Sequence, residues 1–385
     1  MLTEMPVASD RAARVTSRSL RSLRSRGPTP ARTSSAVVMC LLQNRQIRLS
    51  IPWPRATFYV EVVTMTQNST GTATKDLRGR YDVVVVGGGA AGLSAALVLG
   101  RSRLRTLVVD AGEPRNAPSD HMQGYLTRDG MSPAEFLALG RKEIARYGVE
   151  LVRDRAVDVS RAEDFTVELA GGGTVHARRL IVTTGLGDEL PAVAGIAERF
   201  GRDVLHCPFC HGWEVRDERF GVLATSPLAV HQALMVSGWS DDVTLFLHTV
   251  AEHELSDDDL RRLAAAGVKV VPGEVAGLRI EDDALTGVRL ADGTVHDRTV
   301  LFVAPKAVPR TGLMERLGAE LQDTPFGAYP VVDPTGRTTV PGVWTAGNAM
   351  GFAEQVIHAA SGGYRAATAV VGDLIMSDLD AAVAP

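Results

Sequence analysis

The sequence predicts an α/β protein of two three-layer domains, and three stretches of the chain carry this prediction. The apolar run 81–86 ends in a glycine-rich turn and is followed by an apolar helical stretch at 93–100. A second strand–helix–strand pattern begins at Phe220 and ends near Leu247. A third strand, at 342–345, enters another glycine turn before a final helix. Strands that alternate with helices in this way indicate Rossmann-like parallel sheets, a larger and a smaller one.

The length of the chain agrees with this division. At roughly 100–200 residues per domain, 385 residues make two or three domains. We expect a first domain formed by 76–193 and 309–385, a second domain formed by 194–308, and an N-terminal extension at 1–75. The content of 45% apolar and 22% charged residues is that of an ordinary globular protein.

The N-terminal extension differs in composition from the rest. Residues 1–64 hold ten arginines, no lysine and three acids, a net charge of +7, which leaves 65–385 at −11. The extension has neither a helical nor a strand period, which is typical of a targeting peptide, a disordered tail or residues that are not normally translated. We favour Met65 as the natural start, with a cleaved or tail segment as the alternative.

The charge and hydropathy of the body exclude two classes of partner. An acidic body offers no positive field for a phosphate backbone, so we expect no nucleic acid. No apolar run approaches the roughly 18 residues of a membrane-spanning helix. We therefore expect no membrane partner.

The turn after the first strand has glycines at the spacing G-x-G-x-x-G. Gly87 permits the tight turn, Gly89 lets the backbone approach a pyrophosphate, and Gly92 lets helix and strand pack closely. Asp110 ends the next strand, about 20 residues on, where a carboxylate accepts from a ribose hydroxyl. The glycines alone also occur in purely structural turns, but with the strand, the helix and the acid in order they indicate dinucleotide binding.

Within the first domain, residues 132–183 predict a helix and an inserted β-meander. Residues 132–135 (Ser-Pro-Ala-Glu) read as a capping box with proline at N1, and the helix after it carries an apolar stripe expected in the core. The meander strands are expected near 149–152, 155–159, 165–169 and 179–183, with a triple-glycine turn at 171–173. The stripe consists of Phe136, Leu139, Ile144 and Tyr147.

The second strand–helix–strand unit lacks the features of a nucleotide site. Its turn reads Thr225-Ser226-Pro227, without glycines, and Pro227 has no N–H to offer a phosphate. The end of the next strand, 248–250, holds no arginine for a 2′-phosphate. This unit is expected to fold but to hold NADPH poorly.

Cysteine is rare, which indicates a reducing compartment, and we expect a cytoplasmic protein. Cys40 lies in the extension, and Cys207 and Cys210 form a C-x-x-C followed by His211. The spacing admits a zinc site, a c-type haem attachment site, inert buried thiols or a redox dithiol. Zinc lacks a second pair of ligands and haem lacks an export signal, so we expect no metal. A dithiol beside histidines, in a chain with a dinucleotide domain, favours redox chemistry.

With these motifs the chain resembles the thioredoxin reductase family of FAD-dependent disulfide oxidoreductases, over roughly 80–380. The resemblance implies that the glycine turn holds the FAD pyrophosphate, that Cys210 faces the flavin and that Cys207 reacts with the substrate sulfur. It places 347–348 and the start of the final helix, expected at about 355–369, beside the ribityl chain and ring. The cofactor-binding residues expected in this way are Gly87, Gly89, Ala90, Ala91, Gly92, Asp110, Asn116, Val157, Thr184, Gly185, Gly347, Asn348, Gln355 and Val356.

Three departures set the chain apart from ordinary members. His211 stands where they carry an Asp acid, the second glycine fingerprint is missing, and the usual Gly-Asp turn reads Gly347-Asn348. The run C-x-x-C-H-G, which includes Gly212, is similar to a branch of dithiol oxidases that close disulfides with molecular oxygen. A histidine base suits such a reaction, because it converts a substrate thiol into the nucleophilic thiolate.

The sequence therefore predicts catalysis by Cys207, Cys210 and His211 with FAD, acting on a small dithiol, while NADPH stays open. The alternatives are NADPH-dependent reduction of a thioredoxin-like disulfide and a flavin-binding redox sensor without turnover. The resemblance also implies a homodimer. His121, His206 and His358 are weaker candidates, and Phe209 and Trp213 are expected in the core or a pocket wall.

Overall fold

The computed structural model describes residues 50–53, 56–59 and 79–384. The chain divides into two units between residues 73 and 74. In the first unit the described residues are an antiparallel pair of strands, β1 (Ser50–Trp53) and β2 (Ala56–Tyr59). Met65, Cys40 and most of the predicted extension lie outside the described residues.

Both predicted domains lie within the second unit, residues 74–385. The sheet of the first domain has the order β5-β4-β3-β8-β7-β6, with β21 paired to β8. Its central strands are parallel, with Val84 of β3 opposite both Leu107 of β4 and Leu180 of β8. The strands are β3 (Arg80–Val86), β4 (Thr106–Val109), β5 (Glu150–Val152), β6 (Ala156–Arg161), β7 (Phe165–Leu169), β8 (Thr174–Val182) and β21 (Val343–Thr345).

The β-branched residues of β3 are buried on both faces of this sheet. Val83 and Val85 pack against helices on one side, whereas Val84 and Val86 pack against the meander on the other. A buried valine stabilises the fold by about 1.5–3 kcal/mol. This two-sided burial explains why the run lacks polar alternation.

The meander joins the parallel strands through β8. Residues 174–177 of β8 are antiparallel to β7, and residues 176–182 are parallel to β3. The predicted strand 179–183 is therefore longer than expected, because β8 begins at Thr174 and serves both partners.

Helices α1 (Ala90–Arg101), α2 (Pro133–Ala145) and α8 (Val356–Val383) lie on the sheet face that holds Val83 and Val85. The final helix extends well beyond the expected end at 369, across Gly372. Val370 and Leu374 are buried on either side of that glycine, and Asp373 pairs with Arg179. These tertiary contacts outweigh the low helix propensity of one glycine.

Two details predicted for α2 are wrong. The Ser132 side chain makes no cap hydrogen bond, although the helix does begin at Pro133. The buried side consists of Leu137 and Ile144, while Leu139 and Tyr147 are exposed. The apolar stripe is therefore only partly core.

The second domain has a parallel sheet of order β10-β17-β11-β12-β13, covered by helices α5 and α6, and a smaller sheet β14-β15-β16. A hairpin with Asp292-Gly293 in its turn connects β15 to β16. Its elements are β10 (Val204–Leu205), α4 (Pro208–His211), β11 (Phe220–Leu223), α5 (Ala229–Val236), β12 (Val243–Phe246), α6 (Asp257–Ala265), β13 (Lys269–Val271), β14 (Val275–Glu281), β15 (Ala284–Leu290), β16 (Val295–His296) and β17 (Val300–Val303).

Two antiparallel strands, β9 and β18, carry the chain from one domain to the other and back. The α/β prediction with two Rossmann-like sheets is thus confirmed. No helix in the described part of the chain has the length and hydropathy needed to cross a membrane. The remaining elements are β9 (Leu186–Glu189), α3 (Ile196–Arg199), β18 (Lys306–Pro309), α7 (Gly312–Arg316), β19 (Leu321–Thr324), β20 (Gly327–Pro330) and two 3-10 turns at Glu252–Glu254 and Gly347–Ala349.

Candidate functional site

The glycine turn has no room for side chains where β3 meets α1. Gly87 has φ +110°, and a Cβ there would lie 2.3 Å from the carbonyl oxygen of Thr183. A Cβ on Gly92 would lie 1.9 Å from the carbonyl oxygen of Gly87. A Cβ on Gly89, in contrast, would meet nothing within 4 Å, so the backbone at the start of α1 is open to a ligand.

A cleft of about 1910 Å³ opens above this turn, with walls from both domains. Thirteen of the fourteen predicted cofactor-binding residues line it. Gly92, the exception, lies at the contact between helix and strand. The lining residues are Gly87, Gly89, Ala90, Ala91, Asp110, Asn116, Val157, Thr184, Gly185, Gly347, Asn348, Gln355 and Val356.

Asp110 lies at the carboxyl end of β4, as the sequence predicts, but its carboxylate already has two partners. It accepts from the backbone N–H of Gly112 at 3.0 Å and pairs with Arg153. Sequence analysis missed Arg153, although it follows β5 as Asp110 follows β4, and the ends of parallel neighbours meet at one sheet edge. Arg141 also lines this end of the cleft, where burial lowers its pKa.

The two cysteines lie on the opposite wall of the cleft. Cys207 immediately precedes the one-turn helix α4, which contains Cys210. Both are free thiols and half-buried. The Cys210 thiol donates to the side-chain oxygen of Gln355 at 3.4 Å, and the Gln355 amide nitrogen donates to the Cys207 sulfur at 3.6 Å. The dithiol therefore contacts the first domain through Gln355.

The two thiols have opposite acidities. The Cys210 thiol, the backbone N–H groups of Cys210 and Phe209 and the Gln355 amide lower the pKa of Cys207 to about 6, although burial opposes them. The same thiol pair, together with burial, raises the pKa of Cys210 far above its ordinary value. Cys207 is therefore largely a thiolate at neutral pH, which is the nucleophilic form.

His211 and His206 flank the dithiol and line the cleft. Burial lowers the pKa of both imidazoles, and Arg115 lowers that of His206 further. A lowered pKa keeps His211 neutral at pH 7, so it can accept a proton. His121 and His358 are exposed and do not line the cleft.

Gly212 follows His211 in a tightly packed position. A Cβ there would lie 2.5 Å from the carbonyl oxygen of Pro208 and 3.0 Å from the Trp239 ring. The core alternative for Phe209 and Trp213 is wrong, because both are 65% exposed. Phe209 lines the cleft and meets Trp239 edge-on. Trp213 lies outside the lining and packs under the Arg216 guanidinium.

An ion pair that the sequence did not reveal also belongs to the lining of this cleft. Arg115 holds Asp188 through two hydrogen bonds of 2.7 and 2.8 Å, and both side chains line the cleft. The Arg115 guanidinium acts to lower the pKa of both Cys210 and His206, because a positive charge favours a thiolate and disfavours an imidazolium.

The second domain offers few cations where a nicotinamide phosphate would bind. Thr225 and Ser226 line the cleft at the turn after β11. Between 243 and 275 the sequence holds Arg261, Arg262 and Lys269, and each pairs with an aspartate of its own domain. The described residues also contain no group of three or more His, Cys, Asp or Glu side chains that could hold a metal ion.

Comparison with known proteins gives consistent matches. Residues 81–363 match the model of the pyridine nucleotide-disulphide oxidoreductase family. Thioredoxin reductase sirT of Leptosphaeria maculans is 31% identical over 323 residues, covering 78% of this chain and 96% of that protein. Thioredoxin reductase tcpT of Claviceps purpurea is 32% identical over 313 residues, covering 76% and 95%.

A solved structure agrees with these matches. The crystal structure of HlmI is 48% identical in sequence, has a TM-score of 0.76 and covers 80% of this chain and 96% of that one. The similarity thus spans both sheets and the cleft between them.

Proposed function

The chain belongs to the pyridine nucleotide-disulphide oxidoreductase family, and from this premise we propose that it is an FAD-dependent dithiol oxidase that uses molecular oxygen. The observation that carries the proposal is the pair Cys207 and Cys210, which shares one cleft with the glycine turn and contacts Gln355 at the start of α8. A dithiol placed there can exchange electrons with a cofactor held by the turn.

The residues of the cleft fit FAD. The open backbone at Gly89 and the start of α1 suit a pyrophosphate, and Asp110 with Arg153 lies where an adenosine ribose would be held. Thr184, Gly347 and Asn348 line the same cleft as the dithiol. FAD, when bound, supplies a two-electron acceptor for the dithiol that molecular oxygen can reoxidise.

The protein's own groups account for the sulfur chemistry. In the oxidised enzyme, His211 takes the proton of a substrate thiol, and the resulting thiolate attacks the Cys207 sulfur. The Cys207–Cys210 bond breaks, and Cys210 leaves with its electron pair and takes the proton held by His211. His211 then takes the proton of the second substrate thiol, whose thiolate attacks the substrate sulfur of the mixed disulfide and releases Cys207 as a thiolate. The substrate has become a disulfide, and the enzyme pair holds its two electrons.

Two features favour oxygen over NADPH as the partner. The turn at 225–227 has no glycine, and Pro227 offers no N–H, so the turn is poor in backbone donors for a phosphate. The cations that follow β12 are engaged with aspartates. NADPH-dependent reduction of a thioredoxin-like disulfide is the second candidate, which the names of the relatives sirT and tcpT favour.

We also propose a cytoplasmic homodimer. Few cysteines favour a reducing compartment. The last turns of α8 carry exposed apolar side chains that a second copy would cover. The most exposed are Ile375, Met376, Leu379 and Val383. Light scattering after gel filtration tests the dimer.

The experiment that separates the two electron partners is anaerobic mixing of the flavin-loaded protein with NADPH or with dithiothreitol. If the protein is a dithiol oxidase, dithiothreitol should bleach the visible flavin band and NADPH should not. Admitting air should then restore the band and form one hydrogen peroxide for each disulfide made. Fast bleaching by NADPH would instead establish the reductase. A Cys207→Ser, Cys210→Ser double variant should respond to neither a dithiol nor a disulfide.

A further inference from the structure

One amide group touches both sulfurs of the dithiol. The Gln355 side-chain oxygen accepts from Cys210 at 3.4 Å, and its nitrogen donates to Cys207 at 3.6 Å. The Gln355 backbone is fixed as well, because it is the N-cap of α8 and its carbonyl accepts from the Ala359 N–H at 2.8 Å. A residue of the first domain therefore holds two side chains of the second.

The two ends of an amide are chemically different, and so are the sulfurs that they contact. The oxygen can only accept a hydrogen bond, so the sulfur beside it must keep its hydrogen in order to donate. The nitrogen can only donate, so it favours a sulfur that is negatively charged. The opposite arrangement would set a Cys210 thiolate against the amide oxygen, two negative atoms together.

We propose that Gln355 is a catalytic residue that assigns the charge within the reduced dithiol, with the thiolate on Cys207 and the remaining proton on Cys210. The family resemblance gives Gln355 only a contact with the flavin, so this role is additional. The assignment rests on the proposed redox role of the dithiol. It is independent of the substrate and of the direction of electron flow.

The other groups around the dithiol do not contact both sulfurs as Gln355 does. The backbone N–H groups of Phe209 and Cys210 act on Cys207 alone. Arg115 acts on Cys210 and would favour a charge there, the reverse of the observed polarity. His206 and His211 are nearby imidazoles whose burial favours the neutral form. Gln355 is thus the side chain of the first domain that donates to one sulfur and accepts from the other.

The test is alkylation of the reduced, FAD-loaded enzyme with iodoacetamide between pH 5 and 9, followed by peptide mapping of each cysteine. A Cys40→Ser background removes the third thiol. The native dithiol should label at Cys207 first, with a midpoint near pH 6. In Gln355→Met, which has similar length but no amide, we expect the Cys207 rate at pH 7 to fall about tenfold and the share of Cys210 labelling to rise.

Two further variants sharpen the result. Gln355→Glu removes the donor and adds a negative charge, so its loss at Cys207 should exceed that of Gln355→Met. Gln322→Met makes the same exchange at an exposed position outside the cleft lining, and it should label as the native enzyme does. All proteins are compared in excess FAD, so that flavin content is equal.

The proposal is overturned if Gln355→Met keeps both the pH profile and the ratio of Cys207 to Cys210 labelling within twofold of the native values. Alkylation needs no turnover, so an enzyme that fails to reduce oxygen still gives this result. An unchanged labelling pattern would overturn the role of Gln355 only. The proposed oxidase function is tested separately, by the flavin bleaching experiment.

Discussion

Gly363 on α8 lies directly against the backbone of Ala91 on α1, whose carbonyl oxygen would be only 2.0 Å from a Cβ at position 363. The two helices come from opposite ends of the first domain in sequence, and Ala91 belongs to the first turn after the glycine fingerprint. Gly347, before α8, is similarly close, with its Cβ position 3.0 Å from the Ala91 side chain. The last helix and the turn before it therefore pack directly on the first turn of α1, which follows the glycine turn.

Gly363→Ala should therefore destabilise the first domain. The added methyl group forces α8 away from α1, at a cost of about 2 kcal/mol or more, which lowers the melting temperature by roughly 4–8 °C. Retained flavin should decrease in parallel, as measured by absorbance after gel filtration.

Gly372→Ala is the matched control on the same helix. A Cβ at Gly372 meets nothing within 4 Å, and the residue is exposed. The change should raise the melting temperature by about 1–4 °C, because alanine favours helix by 0.5–1 kcal/mol. Equal behaviour of the two variants would contradict the close contact at Gly363.

Local patterns predicted the fold well where packing agrees with them. Strand β7 has the predicted bounds 165–169, because its apolar residues alternate and turns flank it. The end of α8 was not predictable, since Gly372 reads as a stop signal and only the burial of Leu374 and the Asp373 pair carry the helix past it. The buried face of α2 was not predictable for a similar reason, because the core that it shares with α1 and α8 takes in Leu137 and Ile144 and leaves Leu139 exposed.

The candidate site likewise contains residues that the sequence predicts and residues that it does not. The turn at 87–92 and the C-x-x-C are contiguous in sequence, so spacing alone reveals them. The pairs Asp110–Arg153, Arg115–Asp188 and Gln355 with the dithiol join distant segments, and no local pattern encodes such contacts. The assignment of the individual site residues stays a prediction for the variants below to test.

Loss of the Arg153 side chain should weaken FAD binding. Its guanidinium holds the Asp110 carboxylate in place and lines the cleft beside it. For Arg153→Ala we expect the FAD dissociation constant to rise about tenfold, equivalent to 1.4 kcal/mol, as measured by quenching of flavin fluorescence. Arg128→Ala is the control, because Arg128 lies outside the lining. An unchanged constant for Arg153→Ala would exclude this role.

Cys210→Ala should make Cys207 less acidic. The Cys210 thiol is the largest of the effects that lower the pKa of Cys207 to about 6, so its removal moves that pKa upward. The thiolate then forms only at higher pH, and alkylation of Cys207 at pH 7 should slow by about tenfold. Rates are measured from pH 5 to 9 by peptide mapping in the Cys40→Ser background.

Cys210→Ser separates hydrogen bonding from packing at that position. Its hydroxyl can still donate to the Cys207 sulfur, so the midpoint of the alkylation profile should lie between those of the native protein and Cys210→Ala. If both variants shift equally, the hydrogen bond is not the cause.

His211→Asn tests the proposed base. Burial lowers the pKa of His211, so the neutral imidazole persists below pH 6.5, and the acid limb of kcat/KM for dithiol oxidation should have its midpoint below that value. His211→Asn should reduce the rate at pH 7 about 100-fold and abolish this limb, since asparagine cannot take up a proton. His358→Asn, an exposed histidine outside the cleft, should retain the native profile. Retention of most of the activity by His211→Asn would assign the proton to another group, with His206 as the next to be replaced, because it lines the same wall of the cleft.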